Sequence, residues 1–112
     1  MIAFTSAAEA LCLANYVTGR EGFAWSLYSP DGEPIRASNG VALAVDGGYG
    51  EIGTPATALI CAGLDPHRAA AAALAPALRK LEARGSALGA LCTGTWLLAR
   101  AGLLDGHRCT IH

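Results

Sequence analysis

Two short apolar runs constrain the fold of this chain more than any other feature. Thr57–Ala62 and residues 86–91 carry no charge; Gly63 closes the first, and the second passes without a spacer into residues 93–100, which read as a helix ending at Gly102. A strand with no polar alternation has no solvent face, so it suits a parallel sheet covered on both sides. Between the runs, Asp65-Pro66 reads as an N-cap followed by proline at the first helical position, and the alanine run to Ala73 favours helix. Pro76 predicts a break near Leu74-Ala75, with a firmer helix over residues 76–84 capped by Gly85.

Upstream, Ser6-Ala7-Ala8-Glu9 fits a capping box and predicts a first helix that Gly19 stops, with Leu11 and Tyr16 on its apolar stripe. Residues 23–29 alternate bulky and small side chains, the period of a strand, and Pro30-Asp31-Gly32 is a turn. Residues 35–37 and 41–45 read as shorter extended pieces separated by Ser38-Asn39-Gly40, and Gly47, Gly48, Gly50 and Gly53 mark a loop. Residues 109–112 predict a last short strand. The order α-β-β-β-β-α-β-α-β makes this an α/β fold around a largely parallel sheet.

Composition narrows the function. The 112 residues are 53% hydrophobic and 15% charged with a mean hydropathy of +0.37, which fits one domain or part of one and opposes disorder. Eight Lys and Arg against nine Asp and Glu leave a net charge of −1, so these residues offer no basic nucleic-acid surface. The longest uncharged stretch, residues 85–99, is shorter than the roughly 20 residues a membrane span needs. Met1-Ile2-Ala3-Phe4 lacks the basic start of a secretory signal, and a cytoplasmic location is expected. Cys12, Cys61, Cys92 and Cys109 form no C-x-x-C pair, so they read as separate reduced thiols with no metal site.

Ala90-Leu91-Cys92-Thr93-Gly94 is where chemistry can sit. A buried strand runs straight into a helix with a cysteine at the junction and small residues two positions to either side, the pattern of a nucleophile elbow. At a helix N-terminus the dipole favours a thiolate. An ordinary buried cysteine fits the same residues. His112 follows by one helix and one returning strand, so it can reach the same carboxyl edge of the sheet and act as a base; a terminal residue without a role is the plainer alternative. Gly63 can turn a backbone N–H toward that edge or serve as a plain turn glycine. Glu9 is a possible carboxylate partner for Cys92, although its capping role already explains it. His67 and His107 read as solvated, and Trp25 and Trp96 as core or interface residues.

Taken together, Met1 to Leu11, Leu13-Ala14-Asn15, Ser29-Pro30-Asp31-Gly32, Ala37-Ser38-Asn39-Gly40, Gly63-Leu64-Asp65-Pro66 and above all residues 89–112 resemble the N-terminal domain of GlxA-type regulators of the AraC family. That domain is of the ThiJ/PfpI, or class I glutamine amidotransferase-like, superfamily. The resemblance implies a flavodoxin-like sheet with helices on both faces. It also implies a central strand ahead of Met1 and further elements past His112, so that residues 1–112 form part of a sensing domain without a DNA-binding domain. Such a partial sheet would expose pairing edges.

The resemblance further implies that Cys92 and His112 belong to an elbow-type site, with Gly63, Leu64 and Thr93 joining them around a ligand. In enzymatic members an acid near the start of the first helix faces the cysteine; the matching residue here is Ala3, and proton handling at Cys92 would suffer without the acid. The implied function is sensing of a small metabolite in a regulator of amino-acid, betaine or carnitine catabolism, without a cofactor. The regulator is expected to be a homodimer that contacts DNA only through a separate helix-turn-helix segment. The alternative is a cysteine-dependent PfpI-like hydrolase or amidase using Cys92 and His112, and a dimerisation domain with no pocket is a third reading.

Overall fold

The computed structural model describes residues 1–69 and 72–111. In chain order it contains α1 (Ile2–Thr18), β1 (Tyr28–Ser29), β2 (Ile35–Arg36), β3 (Ala42–Leu43), β4 (Gly47–Gly48), a 3-10 turn (Tyr49–Glu51), β5 (Thr57–Ala62), α2 (Pro66–Ala69), α3 (Leu74–Ala83), β6 (Ala87–Cys92) and α4 (Gly94–Arg100). The two apolar runs pair with each other as parallel strands, in a register that runs from Thr57 opposite Ala87 to Ala62 opposite Cys92. β1 pairs with β4 in parallel and β2 with β3 antiparallel, so the described strands form three two-stranded sheets. The α/β class and the parallel character expected from the sequence are present.

The core lies where α3 and α4 cover β5. Ile60 packs there with Leu74, Leu78, Leu97, Leu98 and Ala101, all nearly inaccessible to solvent. Leu74, Leu78 and Leu81 recur at i, i+4 and i+7, and this stripe is the buried face of α3. The Arg79 guanidinium ties the two helices, donating from Nε and Nη2 to the Ala101 carbonyl at 3.3 and 2.9 Å. That carbonyl is one of those a helix end leaves without an internal partner.

Several expectations change. The first helix does not start at a Ser6–Glu9 capping box: it begins at Ile2, with Met1 as N-cap and no side-chain cap, so Glu9 is an exposed mid-helix residue. Ala3 and Phe4 share a half-buried side with Ala7, Ala8 and Leu11, and this packing carries the helix past the local cap signal. Gly19 does end it, at φ +63.

Most of residues 23–29 is not strand. The Asn15 amide instead grips the Phe23 backbone, accepting from its N–H at 2.9 Å and donating to its carbonyl at 2.7 Å, and only Tyr28–Ser29 finds a partner. That partner is Gly47–Gly48, a pair expected to be loop. The break expected near Leu74-Ala75 falls just ahead of it, between the end of α2 at Ala69 and the start of α3 at Leu74, so the firmer helix begins two residues before Pro76. Pro76 occupies the first turn, where backbone N–H groups have no intrahelical acceptor, so its missing donor costs nothing. Residues 109–111 form no strand; Cys109 and Thr110 line a cleft beside β6. No helix of the described residues is long and apolar enough to cross a membrane.

Candidate functional site

β6 turns into α4 at Cys92, and the turn is sharp enough to show in the backbone. Cys92 has φ +55, the only left-handed non-glycine among the described residues. That conformation costs an L-residue about 1–2 kcal/mol and persists only where the surroundings impose it. Gly94 shows what imposes it. A Cβ at that position would overlap the Ile60 carbonyl oxygen and lie 3.3 Å from the Ala90 Cβ. The start of α4 therefore sits directly on β5, and the small residues on both sides of Cys92 are a steric requirement of the junction.

The loop after β5 is bound to this junction. Ala62 is the register partner of Cys92, so the carboxyl ends of β5 and β6 lie side by side. The Thr93 hydroxyl donates a short hydrogen bond to the Gly63 carbonyl. Beyond Gly63, Leu64 is 92% exposed at the rim. The next turn of chain is held to α4 as well: the His67 ring meets the Trp96 indole edge-on, centroids 4.3 Å apart, and the Arg100 guanidinium lies 4.9 Å from the Trp96 ring centroid. His67 is thus engaged with an aromatic neighbour and not merely solvated. The sequence signal was available, since Trp96 and Arg100 are four apart on one helix face. What it lacked was the placement of α2.

Cys92, Thr93 and Gly63 are brought together, with Leu64 next in the loop. His112 lies outside the described residues. Ala3 is half-buried on the inward side of α1 and supplies no carboxylate. Trp25 is 45% exposed and so is not core, whereas Trp96 packs against the core edge. A cleft of about 380 Å³ runs between β6, α4 and the segment after it, lined by Leu88, Ala90, Thr95, Leu104, His107 and Thr110; it reaches the junction at Ala90 and Thr95, and Cys92 and Gly63 are not among its described walls. Next to the junction, desolvation raises the Cys61 thiol above its ordinary pKa of 9.0, with the N-terminal ammonium pulling the other way.

The site is thus a parallel β-α-β unit with a left-handed cysteine at the strand-to-helix junction. The sequence profile of the DJ-1/PfpI family matches residues 4–112. The chain belongs to the DJ-1/PfpI family. It is 38% identical over its whole length to the HTH-type transcriptional regulator GbdR of Pseudomonas aeruginosa and 40% identical to the HTH-type transcriptional regulator CdhR of the same organism. It spans about a third of those relatives, 30% of GbdR and 33% of CdhR. The crystal structure of a protein from Vibrio parahaemolyticus, described as a transcriptional regulator, superposes on 99% of this chain and 60% of its own with a TM-score of 0.81. At 23% identity that superposition establishes the fold alone. The DJ-1/PfpI membership agrees with the superfamily that the sequence resembles.

Proposed function

We propose that these residues are the small-metabolite-sensing part of a cytoplasmic, homodimeric transcriptional regulator whose DNA contacts are made by a separate helix-turn-helix segment. Cys92, Thr93, Gly63 and Leu64 surround the ligand seat, and His112 is the remaining side chain assigned to it. The observation that carries the reading is the coupling of the strained elbow to the β5 loop through the Thr93 hydroxyl. A ligand seated against Cys92 would move Gly63 and Leu64, and through His67 and Trp96 it would move α4. Similarity over the full chain to GbdR and CdhR supports the regulator class. The net charge of −1 suits a division of labour in which DNA is gripped elsewhere.

The effector class proposed is an amino acid, betaine or carnitine. Titration calorimetry with glycine betaine, carnitine and arginine tests it, with saturable binding of one of them expected. Leu64→Ala and Thr93→Val should each weaken that binding about tenfold, roughly the loss of one apolar contact or one hydrogen bond. Failure of all three compounds to bind at millimolar concentration refutes the effector class.

The left-handed φ of Cys92 also favours a second reading, a cysteine-dependent hydrolase or amidase with Cys92 as nucleophile and His112 as base. Ala3 in place of an acid weighs against it. Iodoacetamide alkylation of Cys92 much faster than of exposed Cys12, together with ester or amide turnover lost in Cys92→Ser, would establish catalysis. Equal alkylation rates and no turnover leave the sensor.

A further inference from the structure

The tip of the β2–β3 hairpin meets the loop of the candidate site at Gly63. A Cβ on Gly63 would stand 3.8 Å from the Ser38 hydroxyl oxygen and 4.0 Å from the Ser38 Cβ. The Gly63 carbonyl meanwhile accepts from Thr93. The glycine is therefore flanked by two hydroxyls, one from the start of α4 and one from the hairpin, and its missing side chain leaves the Ser38 side open.

The backbone fixes Ser38 in this place. The Ala37 N–H donates to the Val41 carbonyl at 2.8 Å, the Gly40 N–H donates to the Ala37 carbonyl at 2.9 Å, and Gly40 has φ +86, which makes a tight turn closed by a left-handed glycine. The neighbouring side chains are spent on the same turn. Asn39 Oδ1 accepts from the Val41 N–H at 3.2 Å, and Arg36 donates from Nη1 to the Gly40 carbonyl at 2.7 Å. The Ser38 hydroxyl takes no part: it is exposed and forms no hydrogen bond with any described residue. A hydroxyl carried on a rigid turn and left out of that turn's own bonding is preorganised for a ligand.

Donor chemistry says which part of a ligand it would meet. An amino acid, a betaine and carnitine share a carboxylate, which only accepts hydrogen bonds. Of the described side chains assigned to the ligand, Thr93 has one O–H and gives it to Gly63, Leu64 has no donor, and the Cys92 thiol is a weak one. Ser38 supplies the strong side-chain donor that this set lacks. We propose that Ser38 is a further ligand-contacting residue of the site, its hydroxyl donating to the effector's carboxylate beside Gly63. The assignment rests on the sensing function proposed above and names the end of the effector that faces the hairpin.

Amide NMR spectra and titration calorimetry of the full chain read the contact. The compounds are glycine betaine, carnitine, arginine and, as a bare carboxylate, acetate, each from about 1 mM to about 100 mM against chloride at matched ionic strength, a range that reaches contacts of one or two hydrogen bonds. The carboxylates are expected to shift the Ser38 and Gly63 amide signals. Ser38→Ala should weaken binding of whichever effector binds by about tenfold, the loss of one charge-assisted hydrogen bond, and Ser38→Thr, which keeps the hydroxyl, should retain it. Choline and agmatine, which lack the carboxylates of glycine betaine and arginine, should be indifferent to Ser38→Ala. An unchanged melting temperature checks that the exposed turn still folds in each variant. A loss in Ser38→Ala that is as large for choline or agmatine makes Ser38 a turn residue and overturns the proposal. Effector binding that is equal in the wild type and Ser38→Ala also overturns it and leaves sensing standing. Acetate shifts that vanish in Ser38→Ala, with none of the three effectors bound, refute the effector class and leave the carboxylate contact. No shift at Ser38 or Gly63 with any carboxylate overturns the contact outright.

Discussion

Gly94 and Cys92 divide the steric demands of one junction. Because a Cβ on Gly94 meets a backbone carbonyl and not a movable side-chain end, Gly94→Ala should cost about 2 kcal/mol, seen as a lower melting temperature. Gly63→Ala is the matched contrast. Its nearest neighbour would be the Ser38 hydroxyl at 3.8 Å, so stability should be almost unchanged. Cys92 has the complementary problem: its side chain has a left-handed backbone to pay for. Cys92→Gly should therefore be more stable than Cys92→Ala by up to about 1 kcal/mol, since glycine adopts that φ freely and alanine does not. Chemical denaturation of the pair measures the difference. The small-x-Cys-x-small pattern was legible in sequence. The positive φ was not, because it follows from how closely α4 rests on Ile60, a contact between residues 34 positions apart.

At the scale of elements, the two apolar strands that pair with each other were read well and isolated ones poorly. Thr57–Ala62 is a strand with the expected limits and residues 86–91 are shifted by one, but the expected cover on both faces is not present among the described residues: α3 and α4 bury Ile60 on one side of β5, while Leu59 and Cys61 on the other side are exposed. Residues 23–29 alternate just as clearly but have no neighbouring strand along most of their length, and the Asn15 amide satisfies the Phe23 backbone instead. Helix ends followed packing over local signals. The Ser6–Glu9 box lost to the half-buried side of α1, and Pro76 was harmless in a first turn. The Arg79 bridge gives this scale its prediction. Arg79→Met keeps the aliphatic stem but removes both donors to Ala101, and should cost about 1–2 kcal/mol in denaturant unfolding, the value of charge-assisted hydrogen bonds from an exposed guanidinium to the carbonyl of a buried residue. Arg79→Ala should cost more by the packing of that stem.

For the whole molecule, the informative titrations lie on the alkaline side. Desolvation raises the Cys61 thiol above 9.0, and desolvation followed by the nearby Asp31 charge raises the Tyr49 hydroxyl above 10.0. Both groups hold their protons more tightly folded than unfolded. The native state therefore binds more protons between the two pKa values, and stability falls as pH rises. The contribution is fully present below the ordinary value of each group and is lost above it, first for Cys61 and then for Tyr49. Melting temperature should decline between about pH 8 and about pH 11, and Cys61→Ala with Tyr49→Phe should flatten the decline. A curve equally steep in the double variant would trace the alkaline loss to other groups.

The order of residues determined the fold class, the paired apolar strands, the family and the position of the cysteine junction. Each of these is encoded within a few neighbouring residues: a run without charge, small side chains at fixed spacing, a glycine after a helix. Tertiary structure decided that Thr93 is fastened to Gly63, that His67 meets Trp96 edge-on, and that α1 keeps apolar residues on its outer side. Those facts depend on which distant segments come to lie side by side, and no local pattern contains that information.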